Sequence, residues 1–155
     1  MKLAEALAKR SDAITRVEQL RARIQQNATY QEGQAAAEDA NALIAEAEST
    51  LAQLEVLIRD INEANTRARL ADGRTLTEAL AARDVLRMRY TLLTGAAQAG
   101  SGDQRTFART TKSELATLSA VDVKDLRKRA DAVAVDLRNL DLAIQQANWA
   151  VDLEG

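Results

Sequence analysis

Residues 123–151, VKDLRKRADAVAVDLRNLDLAIQQANWAV, decide the fold class. Apolar side chains fall at Val123, Leu126, Ala130, Val133, Leu137, Leu140, Ile144, Ala147 and Val151, in alternating steps of three and four. This spacing holds them on one narrow stripe of an α-helix, the seam of a helix that packs lengthwise on other helices. At 1.5 Å per residue the helix is roughly 40 Å long. One position past the seam runs a polar row of Arg138, Asp141, Gln145 and Asn148, with Trp149 beside it.

Working outward, three more helices are predicted. The first covers about residues 3–27, with a stripe of Leu3, Leu7, Ile14, Val17, Leu20 and Ile24, and with Glu5/Lys9 and Asp12/Arg16 as acid-first pairs one turn apart on the solvated side. A connection containing Gly33 follows, in which Tyr30 is expected to plug the end of the bundle. The second helix, about 39–70, starts at an Asp39 cap and carries Leu43, Ala47, Leu51, Leu54, Ile58, Ile61, Asn65 and Ala68. Asn65 interrupts that stripe and Asn62 lies on the same face, a placement that suits either a register-fixing amide or a ligand contact.

The segment Thr75-Leu76-Thr77-Glu78 has the form of a capping box and starts a third helix over about 75–94. Its stripe of Leu76, Leu80, Arg83, Leu86, Tyr90 and Leu93 carries a guanidinium where leucine is expected, with Asp84 and Arg87 adjoining. Arg83 can snorkel where the helix end is exposed; on the packed face it requires a carboxylate or amide partner, since an unpaired buried charge costs several kcal/mol, and Asp141 and Asn65 are the candidates. Residues 95–121, with Gly95, Gly100 and Gly102 and the basic run of Arg105, Arg109 and Lys112, read as a flexible arm with a weak strand pattern near its end. Asp122 can cap the fourth helix, about 123–151.

The composition agrees with a helical chain. Of 155 residues, 46% are hydrophobic but only 3% aromatic, and there is no proline. Small residues bury little area each, which makes helix length and a homo-oligomer the expected means of compensation. No cysteine or histidine is present, so zinc sites, Cys or Ser/His/Asp nucleophiles and haem ligation through those residues are excluded, and no cofactor is expected. The net charge of −2, with acids and bases interspersed, offers no basic face for nucleic acid. No signal peptide and no run of about 18 apolar residues is evident, so a membrane partner is not expected and a cytoplasmic location is.

The sequence therefore predicts an all-α protein: a single domain over 1–155, an elongated antiparallel four-helix bundle with an extended arm between helices 3 and 4. Its chemistry concentrates in Asn62, Asn65, Arg83, Asp84, Arg87, Arg138, Asp141, Gln145, Asn148 and Trp149. With helices 2, 3 and 4 facing, these side chains make either a structural polar layer or a pocket for a small anionic ligand. No nucleophile and base pair follows from the spacing, so a non-enzymatic structural or interaction role is favoured.

The stretches MKLAEALAKR, NATYQEGQAAAED, LIRDINEANT, DGRTLTEALAARD, TLSAVDVKDLRKRADAV and RNLDLAIQQANW together resemble the septicolysin-like bacterial proteins. The resemblance implies an all-helical protein of unknown biochemical activity. By the family's name it also implies a membrane-active cytolysin, although the helices have mixed rather than basic polar faces and no aromatic anchor beyond Trp149.

Overall fold

The computed structural model describes residues 1–102 and 117–153. Four helices follow in order, α1 (Leu3–Asn27), α2 (Ala40–Arg67), α3 (Leu76–Gly100) and α4 (Val123–Ala150). No β-strand occurs among the described residues, and the protein is all-α. The chain divides into two compact units, Met1–Arg69 with Gln145–Gly155, and Leu70–Ile144. α4 contributes its last turns to the first unit and the rest to the second.

The first unit is built on α1 and α2, which pack against each other. Arg16 bonds Glu46 and Arg23 bonds Glu38, so residue numbers rise along one helix as they fall along the other and the pair is antiparallel. Arg16 thus turns to Glu46 across the helix pair instead of to Asp12 on its own helix, because its Nε and Nη2 can both donate to that carboxylate. Leu3, Ala6 and Leu20 of α1 and Leu43 and Ile61 of α2 are buried. Complete burial of a leucine contributes about 1.5–3 kcal/mol. The predicted α2 stripe is only partly covered, since Leu51 and Ile58 stay exposed.

Side chains define the ends of these helices. Asp39 caps α2 by accepting from the Asn41 and Ala42 amides. In the connection before it, Asn27 accepts from the Glu38 amide at 3.0 Å and donates to the Arg23 carbonyl at 2.9 Å, which secures the exit of α1. Tyr30 is 67% exposed and plugs nothing, because the chain turns here on backbone and carboxamide bonds rather than on apolar packing.

The C-terminal segment closes onto the start of α1. The Leu3 amide donates to the Val151 carbonyl at 2.9 Å and the Leu153 amide to the Met1 carbonyl at 2.8 Å. Lys2 Nζ donates to Asp152 Oδ2 at 2.8 Å and to the Ala150 carbonyl at 3.3 Å. The ammonium thereby meets the negative end of α4.

The second unit pairs α3 with the N-terminal part of α4. It opens on a tight turn in which Leu70 donates to the Arg74 carbonyl and Gly73 to that of Leu70; the positive φ of Gly73, 86°, is open to glycine at no steric cost. Thr75 and Glu78 then form the capping box in both directions, at 3.2 and 2.7 Å. Leu93, Ala130 and Val133 form the core between the helices, with Leu86 and Leu126 against them. Asp122 caps α4 by accepting from the Asp125 amide at 2.9 Å.

α3 runs past the predicted start of the arm at residue 95. Residues 95–100 belong to α3, because one glycine costs a helix only about 1 kcal/mol and Ala96, Ala97 and Ala99 favour it. Gly100 is required by packing: a Cβ there would lie 2.5 Å from Val121 Cγ2. Residues 117–121 form no strand, and Ser119 folds back to hydrogen-bond Val121. The stretch with Arg105, Arg109 and Lys112 lies outside the described residues.

Candidate functional site

The capping box fixes where α3 starts, and that start sets which face each later residue occupies. Arg83 and Arg87 stand one turn apart with Asp84 between them, opposite Asp141 of α4. The Arg83 Nε lies 3.5 Å from Asp84 Oδ1 and 3.9 Å from Asp141 Oδ1. Arg87 reaches the same two carboxylates at 4.0 and 3.6 Å. The group is a four-membered cluster with two positive and two negative charges.

Its burial is graded. The Arg83 side chain is 24% exposed and that of Asp141 35%, whereas Asp84 and Arg87 stand more than half in solvent. Arg83 Nε is buried and makes no hydrogen bond. A buried donor without an acceptor costs about 1–3 kcal/mol, so the cluster is held by proximity of charge rather than by shaped hydrogen bonding. An anion site needs an excess of donors. Here two carboxylates balance the two guanidiniums.

The remaining predicted residues are divided between the two units. Asn62, Asn65, Gln145, Asn148 and Trp149 belong to the first unit. Asn62 and Gln145 are exposed, Asn65 and Asn148 half-buried, and Trp149 is 64% exposed. Arg138 is exposed and lines a surface hollow with Tyr90, Asp131 and Val135. One position past a seam is the margin of a helix face, where a long side chain extends into water.

Sequence reasoning missed the charged groups with the best geometry. Hydrogen bonding from Arg23 holds the Glu38 carboxyl below the usual carboxylate range, as does Lys2 for Asp152 and Arg74 for Asp72. The Lys2–Asp152 and Asp72–Arg74 pairs are exposed and the Arg23–Glu38 pair is part-buried. The Arg74 pair, two residues from its partner, was legible as a turn; the other two join segments far apart in sequence. Among the described residues no three acidic side chains converge to hold a metal ion. Nor is any helix long and apolar enough to cross a membrane.

The described residues form an all-α fold with a charge-neutral Arg/Asp cluster. Residues 10–153 match a family of unknown function, DUF6847, and the chain belongs to it. It is also similar to a functionally unknown conserved protein from Corynebacterium diphtheriae, whose crystal structure superposes with a TM-score of 0.91 at 34% identity over 99% of each chain. No curated protein matches. These findings overturn the resemblance to septicolysin-like proteins, whose motifs lie almost wholly in the stretch that matches this other family. The cytolysin reading rested on that resemblance and falls with it.

Proposed function

We propose that this protein is a non-enzymatic structural or interaction module that works by associating with itself through its long helices. The observation that carries this reading is apolar side chains left in solvent at heptad spacing. On α2 these are Ile44, Leu51 and Ile58; on α3, Val85 and Leu92; on α4, Val135, Leu142 and Trp149. Singly exposed leucines need no explanation, but large apolar residues repeated every seven positions line up along one side of a helix. Such rows have the pattern of a helix awaiting another helix. The neutral Arg/Asp cluster supports the same reading, since it leaves no net charge to attract a small ligand.

Sedimentation velocity over a hundredfold range of protein concentration tests the proposal. The expected result is a weight-average mass that rises with concentration above the 16.8 kDa of one chain. A mass that stays at one chain throughout overturns it.

A further inference from the structure

α3 carries two seams on opposite sides. The inner one, Leu76, Ala79, Arg83, Leu86, Leu93 and Ala97, is buried or half-buried. The outer one, Ala81, Val85, Met88, Leu92, Gly95 and Ala99, advances in alternating steps of four and three and is exposed at every position. Val85 is 54% exposed, and Met88 and Leu92 are each 71% exposed. The rows on α2 and α4 are narrower, because Glu48 and Glu55, or Arg138 and Gln145, interrupt them at the intermediate positions. Unbroken alternation on an exposed face is the pattern of a two-stranded coiled coil.

We infer that the outer face of α3 is a parallel two-fold seam, and that its occupant is the α3 of a second copy of this chain. This inference deepens the self-association proposed above and rests on it.

Charge selects the partner and its direction. Asp84 and Arg89 flank the outer seam on its two sides, five positions apart. In a parallel pair the residue on one flank faces the residue five positions later on the other flank of the partner helix, so Asp84 of each copy meets Arg89 of the other. Both groups reach solvent, Asp84 from the edge of its cluster. Arg89 is exposed, and Asp84 is 59% exposed and touches Arg83 and Arg87 only at 3.5 and 4.0 Å. An antiparallel pair centred on the large residues instead sets Arg89 against Arg89, a like-charge contact that is destabilising.

Gly95 points the same way. It sits inside the helix, and a Cβ added there would touch none of the described residues within 4 Å, so their packing gives no reason for a residue that weakens a helix. In the outer seam, Gly95 and Ala99 let two backbones approach closely where Met88 and Leu92 end. The seam spans about 27 Å at 1.5 Å per residue, which places the interface at the small end of the range for specific complexes and makes the association weak and concentration-dependent.

The chain has no native cysteine, so single cysteines report the pairing directly. Val85→Cys, Met88→Cys and Leu92→Cys are made separately, with Lys9→Cys on an exposed face of α1 as the control, and each is oxidised at a concentration where the parent chain associates. A parallel two-fold seam places each residue against its own copy, within disulfide reach, so all three seam variants cross-link efficiently and the control does not. Cross-linking at no more than one seam position overturns the parallel arrangement. Association of the parent chain without cross-linking at any seam position overturns the α3 seam while leaving self-association standing; no association at all overturns both. Leu92→Asp should weaken association at least about 30-fold, as a central interface residue does, with an unchanged helical spectrum. Unaltered association of that variant also overturns the inference.

Discussion

The two units of this protein use charge differently. In the first, polar side chains tie together segments distant in sequence: Lys2 to Asp152, Arg16 to Glu46, Arg23 to Glu38, and Asn27 to the backbone on both sides of a connection. In the second, Arg83, Asp84, Arg87 and Asp141 gather at 3.5–4.0 Å without forming a hydrogen bond at Arg83 Nε, and apolar side chains of α3 remain outside. The difference teaches that polar residues near a helix seam serve two ends. Hydrogen-bonded ones fix where segments begin and meet, and loosely paired ones serve mainly to neutralise one another.

The largest expected effects test the core of each unit. Leu20→Ala in the first unit and Leu93→Ala in the second remove side chains that are 0% and 5% exposed, and each should cost about 2–5 kcal/mol in urea unfolding. Leu92→Ala, one residue from Leu93 but 71% exposed, should change the stability of the dilute chain by less than about 0.5 kcal/mol. A large loss at Leu92 in dilute solution would show that its outward face is already covered.

Next in size is Asn27→Ala, which strips the part-buried Glu38 amide of its acceptor and should cost about 1–3 kcal/mol. Arg83→Leu completes the inner seam of α3 with the residue its periodicity calls for, and should leave stability within about 1 kcal/mol of the parent. A loss beyond that would mean that the guanidinium is bonded more firmly than its distances indicate, and would remove the contrast between the units.

The smallest effect is the dependence on pH. Glu38, Asp152 and Asp72 have folded-state pKa values lowered by hydrogen bonds from Arg23, Lys2 and Arg74. The unfolded chain binds these protons more tightly, so the contribution is present above about pH 4 and is lost as pH falls through the lower folded values. Unfolding midpoints measured from pH 7 down to 3 should fall in the acid range, and less so in Glu38→Gln and Asp152→Asn. Equal slopes in parent and variants would remove these pairs from the account.

The helices were legible because their signals are local. The seam of α4 is a repeat of three and four, Asp39 and Asp122 are recognisable caps, and Thr75 with Glu78 is a capping box; all lie where the periodicity put them. α3 was read too short because Gly95 looks like punctuation, although the alanines around it outweigh one glycine. The outer seam was legible in the same letters once the helix ran to Gly100. The site was legible only in part. Asp141, one of the two partners named for Arg83, lies 3.9 Å from its Nε, whereas Asn62 and Asn148 belong to the other unit.

By itself, the sequence determined that this is an all-α protein of four long helices, where those helices start, and which stripe of each is apolar, because these depend on neighbours within a turn or two. Tertiary structure alone decided that Lys2 meets Asp152, that Arg16 leaves Asp12 for Glu46, and that one apolar stripe of α3 is buried while the other is not. The physical reason is that periodicity ranks faces by hydrophobicity but carries no record of which face another segment covers. On α4 the polar row beside the seam of 123–151 shows the same limit: Asp141 gained charged partners because α3 brings the Arg83 and Arg87 guanidiniums within 4 Å of it.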